Sequence, residues 1–391
     1  MKISMIRTWK VFANWRNWVF VKVETDEGVH GVGEATLEGR ALAVEAGIQE
    51  LSRNLVGRDP SDIEDMWQAA YYRETFWVGG PIMLTAISAI EMALWDIVGK
   101  TLGVPVYKLL GGKCRSELRL YANGWYFGAV TPDDFAQKAA ETVKRGYTAL
   151  KWDPFGSADK TLTLDQMRQA VANVAAVREA VGNNVDLLIE AHGRFNTYTA
   201  ITVANRLEEY NPMFLEEPVP PENYDALAEV KRATRVPIAT GERCYTTFGY
   251  RDLLSKSAAH IIQPDVMHAG GILETKKIAA MAGAHYIPVA PHNPNGPIAM
   301  AATMQLAAGI PNFLILEYLV DDVPWRDTVV SAPAKVENGY VKLSEAPGLG
   351  VDLVEPECEA HPYVPVDLSL FSDAAEKNIM KRAQVAGHTK K

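Results

Sequence analysis

Leu187-Leu188-Ile189-Glu190, Phe214-Leu215-Glu216 and Ile238-Ala239-Thr240-Gly241-Glu242 are three short apolar runs that each end in glutamate, with the glutamates 26 residues apart. Runs this short, separated by stretches with helical spacing, read as strands of parallel βα units. Working outward, the pattern repeats in both directions. Leu118-Arg119-Leu120-Tyr121 and Ala149-Leu150-Lys151 precede the three runs. Ile261-Ile262-Gln263-Pro264-Asp265, Ile287-Pro288-Val289-Ala290-Pro291-His292 and Phe313-Leu314-Ile315-Leu316-Glu317 follow them. From Tyr121 onward the terminal residues are spaced by 30, 39, 26, 26, 23, 27 and 25, each close to one βα unit. Eight such units close a barrel. No full-length helix is evident after the eighth strand, so the sequence predicts an α/β fold with a (β/α)7β TIM-like barrel over residues 116–330.

Residues 1–115 read differently. Residues 3–8 alternate, and 19–24 and 29–32 flank the turn Thr25-Asp26-Glu27-Gly28, which is a meander rather than a crossover. Residues 41–55, 61–72 and 82–102 then carry apolar side chains at helical spacing, the last ending at Gly103 with Pro105 beyond. This is an α+β unit. After the barrel, residues 331–391 contain two short alternating runs joined by Asn338-Gly339, a favoured hairpin pair. This segment is expected to return to the N-terminal unit, with residues 372–391 forming a surface helix and a frayed tail.

Composition narrows the function. The 391 residues carry a net charge of −9, with no Lys/Arg stripe to collect phosphates, which argues against a nucleic-acid partner. A 48% hydrophobic content with no apolar run of roughly 18 residues argues against a membrane span. The N-terminus lacks a signal-peptide core, and the three scattered cysteines, Cys114, Cys244 and Cys358, suit a reducing compartment. A cytoplasmic protein is expected.

In barrels of this kind the chemistry sits at the C-terminal ends of the strands. Glu190, Glu216 and Glu242 end the third, fourth and fifth strands, and three carboxylates on one rim repel unless a cation neutralises them. An all-oxygen set is what a hard divalent ion prefers. Glu217 follows Glu216 directly, and alternation alone does not decide which of the two faces the metal, although Glu216 keeps better register. Asp265 and His292 end neighbouring strands. A carboxylate on one ring nitrogen fixes the tautomer and leaves the other nitrogen to take a proton, which makes His292 a candidate base. His192, two residues past Glu190 in an extended segment, is a candidate general acid beside the metal. Lys151 ends the second strand as a possible contact for a substrate carboxylate, a proton shuttle, or a Schiff-base nucleophile. Glu317 ends the eighth, either as a protonated donor to the substrate carboxylate or as a salt-bridged group. His268, in Met267-His268-Ala269-Gly270-Gly271, lies near the mouth, and the remaining histidines carry less weight.

Taken together, these segments resemble the enolase superfamily, and within it the mandelate racemase branch, most similar to galactonate dehydratase-like sugar-acid dehydratases. The matching residues are Glu190-Ala191-His192-Gly193-Arg194, Phe214-Leu215-Glu216-Glu217-Pro218, Thr240-Gly241-Glu242-Arg243, the run from Gln263 to Gly271, and Ala290-Pro291-His292-Asn293-Pro294-Asn295-Gly296-Pro297. The resemblance implies Mg²⁺ on Glu190, Glu216 and Glu242, and C2-proton abstraction from a small sugar acid by the His292/Asp265 dyad. It further implies an enediolate stabilised by the metal, and loss of the 3-hydroxyl assisted by His192. It also implies that the N-terminal unit caps the barrel mouth, with the loops at 14–18 and 72–80 bearing on substrate selection and their aromatics Trp15, Trp18, Phe76 and Trp77 either excluding water or packing, and that the protein is a homo-oligomer.

Two departures from the family pattern stand out. The first metal ligand, usually Asp, is Glu190. In Lys151-Trp152-Asp153 the second lysine of a Lys-x-Lys pair is missing, which disfavours a two-base racemase; no lysine ends the sixth strand, which disfavours a cycloisomerase. The alternatives are a Schiff-base aldolase using Lys151, a racemase or epimerase, and a non-catalytic sugar-acid binder.

Overall fold

The computed structural model describes residues 1–73, 77 and 79–366; the expected tail at 372–391 and Phe76 lie outside the described residues. Strands β1 (Ile3–Ala13), β2 (Arg16–Thr25) and β3 (His30–Glu34) form an antiparallel meander in that order. Asn14 adopts φ 61° between β1 and β2, in the left-handed region that asparagine tolerates, and this tight turn presents Trp15. Helices α1 (Ala41–Leu55), α2 (Ile63–Gln68) and α3 (Pro81–Leu102) follow. A π-helical turn at Ala69–Arg73 continues α2.

Helix α3 is long and apolar enough to cross a membrane, but 78% of its apolar window is buried in protein. It packs against β3, α1 and the barrel, so its apolar surface is used in the core. The closest approach is at β3. A Cβ on Gly31 or Gly33 would lie 1.9 Å from the carbonyl oxygens of Ala93 and Ala89. Period two on the strand meets the i, i+4 spacing of small residues on the helix.

The short helix α4 (Val106–Leu109) leads into the barrel. The barrel strands and helices alternate as β4 (Glu117–Asn123), α5 (Pro132–Lys144), β5 (Ala149–Trp152), α6 (Leu164–Val181), β6 (Asp186–Glu190), α7 (Thr197–Leu207), β7 (Phe214–Glu216) and α8 (Tyr224–Arg232). They continue as β8 (Ile238–Thr240), α9 (Thr246–Ser255), β9 (Ile261–Ile262), α10 (Gly271–Ala284), α11 (Pro297–Gly309) and β10 (Leu316–Leu319). Thr131 and Thr163 open α5 and α6 with capping boxes, and Asn196 and Asn223 cap α7 and α8. The parallel ladder runs from β4 to β9. Single bridges from Val289 to Ile262 and to Phe313 supply the seventh position, and β10 pairs in parallel with β4 to close the ring. The fold is therefore a (β/α)7β barrel with an N-terminal α+β domain.

Inside the ring, Tyr121, Ala149, Leu188, Phe214, Ala239, Ile261, Ala290 and Ile315 pack as one buried cluster, one residue from each strand position. Because side chains alternate, the residues two positions further face the same axis one layer nearer the mouth. Those positions hold Asn123, Lys151, Glu190, Glu216, Gly241, Gln263, His292 and Glu317. An apolar floor thus carries a polar layer.

After β10 the chain forms β11 (Val336–Glu337) and β12 (Tyr340–Lys342), turning at Asn338 (φ 51°) and Gly339 (φ 73°). This hairpin extends the start of β4 in antiparallel pairing, at the end of the barrel away from the polar layer. Beyond the hairpin the chain reaches the N-terminal domain, where α12 (Glu355–Ala360) packs on β1 and Asp352 pairs with His30 and Lys100.

Buried carboxylates dock the N-terminal domain on the barrel mouth. Glu34 accepts hydrogen bonds from the backbone N–H groups of Gly296 (2.7 Å) and Ala299 (2.9 Å) at the start of α11. Glu91 accepts those of Ile272 (2.8 Å) and Leu273 (2.9 Å) at the start of α10. Each gives the unsatisfied donors of a helix N-terminus carboxylate acceptors, although burial pushes both carboxyls up, that of Glu91 to about 7.

Candidate active site

The mouth of the barrel opens into a cavity of about 680 Å³ lined from the barrel by Lys151, Asp153, Glu190, His192, Glu242 and His292. The N-terminal domain contributes Trp15, Leu37 and Arg40 to its wall. A larger cleft, of about 890 Å³, lies between α11 and the β11–β12 hairpin. The smaller one is where the reactive groups converge.

Glu190 and Glu216 end β6 and β7 as direct register partners, and Glu242 lies two residues past the end of β8. One carboxylate oxygen from each comes within 4.8 Å of the others. Glu216 is fully buried, and its Oε2 accepts no hydrogen bond. Burial first, then the neighbouring Glu190 charge, pushes its carboxyl well above the usual range. Three converging carboxylate oxygens, with only the Lys151 ammonium against the buried Glu216 oxygen at 3.1 Å, fit a hard divalent cation. Glu217 is turned away: at φ 39° it leaves the strand and pairs with Arg243, its Oε2 accepting the Nε–H at 2.9 Å. Of the two glutamates, it is Glu216 that faces Glu190 and Glu242.

Lys151 is buried beneath the cavity. Its Nζ stands 3.3 Å from Glu190, 3.1 Å from Glu216 and 2.8 Å from Glu317. Burial opposes its charge, but the carboxylates of Glu216 and Glu317 outweigh burial and hold it well above the ordinary lysine value. Glu317 does not line the cavity. Its carboxylate is gripped by Lys151, by the Asn123 amide (2.7 Å) and by the Asn293 N–H (2.8 Å). Although burial works against ionisation, Lys151 and His292 keep its pKa below the usual range. The expectation of a protonated Glu317 donating to substrate therefore gives way to its salt-bridged alternative.

Two imidazoles flank the triad. Nδ1 of His292 is 2.8 Å from Asp265 Oδ2, and its Nε2 is 3.2 Å from Glu242. Asp265 is itself fixed by the Asn295 amide and the Met267 N–H, both at 2.8 Å. On the other side, Nδ1 of His192 is 2.8 Å from Asp153 Oδ2, and the His192 backbone N–H donates to Glu190 at 2.6 Å. His192 does not reach the cavity by strand alternation, as the sequence suggested, but through a left-handed backbone (φ 51°) next to Gly193. The third and seventh strand positions of an eight-membered ring stand across from one another, so the two imidazoles approach from opposite sides.

Several residues of the site escape motif reading. Asp153 stands out in the sequence only as a missing lysine, yet its spacing of two from Lys151 is a signal that places it on the cavity side. Arg194 and Asn295 lie within the matching motifs but carry no assigned role there, and Asn123 shows no pattern of its own. His268 lines the cavity, with Nδ1 2.9 Å from the Thr85 hydroxyl of α3. Of the aromatic residues expected at the mouth, Trp15 lines the cavity, Trp18 is buried and Trp77 is 84% exposed.

Residues 12–111 match the mandelate racemase / muconate lactonizing enzyme N-terminal domain, and residues 134–357 match the enolase C-terminal domain-like family. The chain belongs to the mandelate racemase / muconate lactonizing enzyme family of the enolase superfamily. It is 40% identical over 378 residues to a D-galactonate dehydratase of Ralstonia pickettii, covering 91% of this chain and 93% of that protein. It is 39% identical over 359 residues to a D-gluconate dehydratase of Thermoproteus tenax, covering 91% and 72%. Among solved structures, an enolase superfamily member from Salmonella Typhimurium superposes with a TM-score of 0.89 at 34% identity, covering 94% of this chain and 100% of that one. A mandelate racemase/muconate lactonizing enzyme-like protein from Roseovarius sp. gives 0.88 at 36%, covering 95% and 99%.

Proposed function

We propose that this protein is a magnesium-dependent hydro-lyase that converts an aldonic acid to a 2-keto-3-deoxy sugar acid. The observation that carries this reading is the pair of imidazoles, each held through Nδ1 by its own carboxylate, on either side of three converging glutamates in one cavity. The names of the galactonate and gluconate dehydratases it resembles support the same chemistry.

Mg²⁺ on Glu190, Glu216 and Glu242 would supply the positive charge against which the substrate carboxylate takes up further negative charge. His292 is oriented by Asp265 to take the C2 proton on Nε2, which leaves the C–H electron pair delocalised into the carboxylate. Those electrons return to form a C2–C3 double bond as the C3–O bond breaks. Nε2 of His192 gives a proton to the departing hydroxyl, which leaves as water. The enol then loses its hydroxyl proton and gains one at C3, giving the 2-keto acid. Lys151, fixed by three carboxylates, holds positive charge at the cavity floor where the substrate carboxylate arrives. The same ion pairs argue against the Schiff-base alternative, which needs a neutral amine.

The test is a panel of aldonic and aldaric acids incubated with the protein and Mg²⁺. We expect one acid to yield a 2-keto-3-deoxy product, with EDTA abolishing turnover and His292→Asn lowering it by about 10²–10⁴-fold, the range for a lost general base. Turnover unaffected by EDTA would remove the metal role. Borohydride trapping of substrate on Lys151 would replace the mechanism with an aldolase.

A further inference from the structure

We propose that Asp153 is the positioning residue that makes His192 competent to protonate the leaving hydroxyl, so that the second half of the reaction depends on Asp153 while C2-proton abstraction does not. The inference rests on the dehydratase reading above and assigns a role to a residue that the metal and base sets leave out.

Asp153 follows Lys151 by two positions, so the β-alternation that sends Lys151 to the barrel axis also turns Asp153 toward the cavity, one layer higher. Its carboxylate is anchored at both oxygens. Oδ1 accepts the Phe155 backbone N–H at 2.9 Å, while Oδ2 receives both His192 Nδ1 at 2.8 Å and the Arg194 guanidinium. Arg194 is itself immobilised: its side chain is buried and donates to the carbonyls of Ala191 (3.0 Å), Gly156 (2.9 Å) and Ala158 (3.2 Å). The carboxylate can neither rotate nor retreat, so it fixes the ring plane of His192 and places the Nδ1 proton on the Asp153 side. Nε2 is then the nitrogen left to face the cavity that His192 lines. This is the same construction that Asp265, Asn295 and His292 make on the opposite side. The chain has thus built two carboxylate–imidazole units on strands across the barrel, and a carboxylate that only neutralised Arg194 would not need the second contact.

The roles separate in a partition experiment. In D₂O, abstraction at C2 followed by return of the proton labels recovered substrate, whereas loss of the hydroxyl gives product. For Asp153→Asn we expect dehydration to fall by about a hundredfold, at the lower end of what a positioned acid contributes. C2 exchange should stay within about threefold of wild type, so that exchange per dehydration rises. A 3-deoxy-3-fluoro aldonate, whose fluoride departs without needing a proton, should be turned over by the variant at close to the wild-type rate. Asp153→Ser, which removes the carboxylate without offering an amide, should behave alike. Exchange, dehydration and fluoride release falling together would overturn the proposal, as would normal dehydration by both variants, or failure of both to fold by circular dichroism. A wild-type protein that neither exchanges nor dehydrates any acid would instead overturn the functional reading and this inference with it.

Discussion

Charge balance around Lys151 explains why the site calls for a cation. Its ammonium is within ion-pair distance of Glu190, Glu216 and Glu317, while Glu242 leans on His292 at 3.2 Å. One lysine cannot neutralise that many buried carboxylates, and the raised pKa of Glu216 is the visible cost. A divalent ion bound only by the folded chain stabilises it by mass action, by about 2.7 kcal/mol at a hundredfold excess over its Kd. Magnesium should therefore raise the melting temperature by a few degrees relative to EDTA. Glu216→Gln, which keeps the shape but loses the charge, should lose most of that increment. Scanning calorimetry of both proteins with and without Mg²⁺ checks this, and an equal shift in both would place the ion elsewhere. The convergence of Glu190, Glu216 and Glu242 was legible in the sequence because strand ends and carboxylates coincide. Arg194 was visible only as a motif residue, because its contacts are with carbonyls of the loop at 156–158, which no spacing reveals.

Among the elements, the contact of β3 with α3 is the most exacting. Gly31 and Gly33 let the strand lie directly on Ala89 and Ala93 of the helix, and a methyl group at Gly33 would sit 1.9 Å from a backbone carbonyl oxygen. Backbone cannot give way as a side-chain end can, so strand and helix would have to separate. We expect Gly33→Ala to destabilise the protein by about 2–3 kcal/mol, the upper part of the overpacking range. Urea denaturation reads this as a lower midpoint, and an unchanged midpoint would show that the two elements can part freely. The lengths of α1 and α3 could be read from periodicity and from the Gly103 stop. The sixth and seventh barrel strands were visible as apolar runs, but their pairing shrinks to Ile261–Ile262 and to bridges at Val289. Composition could not foretell this, because ladder length is set by neighbouring strands. In the same way, the Asn338-Gly339 turn was legible while the hairpin's partner, β4, more than two hundred residues away in sequence, was not.

At the scale of the whole molecule, the segment after the barrel ties the two ends of the chain together through a charge cluster. Asp352 Oδ2 lies 2.7 Å from His30 Nε2 on β3 and 3.3 Å from Lys100 Nζ on α3, while Lys100 also reaches Asp96 at 2.7 Å. Burial works against the Asp352 charge, but the His30 hydrogen bond and Lys100 overcome it and bring its pKa down to about 2. A carboxylate with a folded pKa depressed below its unfolded value binds fewer protons in the native state. Its contribution is therefore complete above the unfolded pKa of 3.8 and is lost as pH falls through about 2. The full shift corresponds to roughly 2.4 kcal/mol. With a third of the side chain exposed to screening solvent, about 1 kcal/mol is the better expectation. Asp352→Asn should then be less stable than the parent by that amount at pH 7, with the gap narrowing steadily between pH 4 and pH 2. Urea unfolding of both proteins at pH 7, 4 and 3 measures the gap directly. A gap that stays constant over that range would mean that Asp352 holds the segment by shape and neutral hydrogen bonds, and that charge has no part in joining the C-terminal segment to the N-terminal domain.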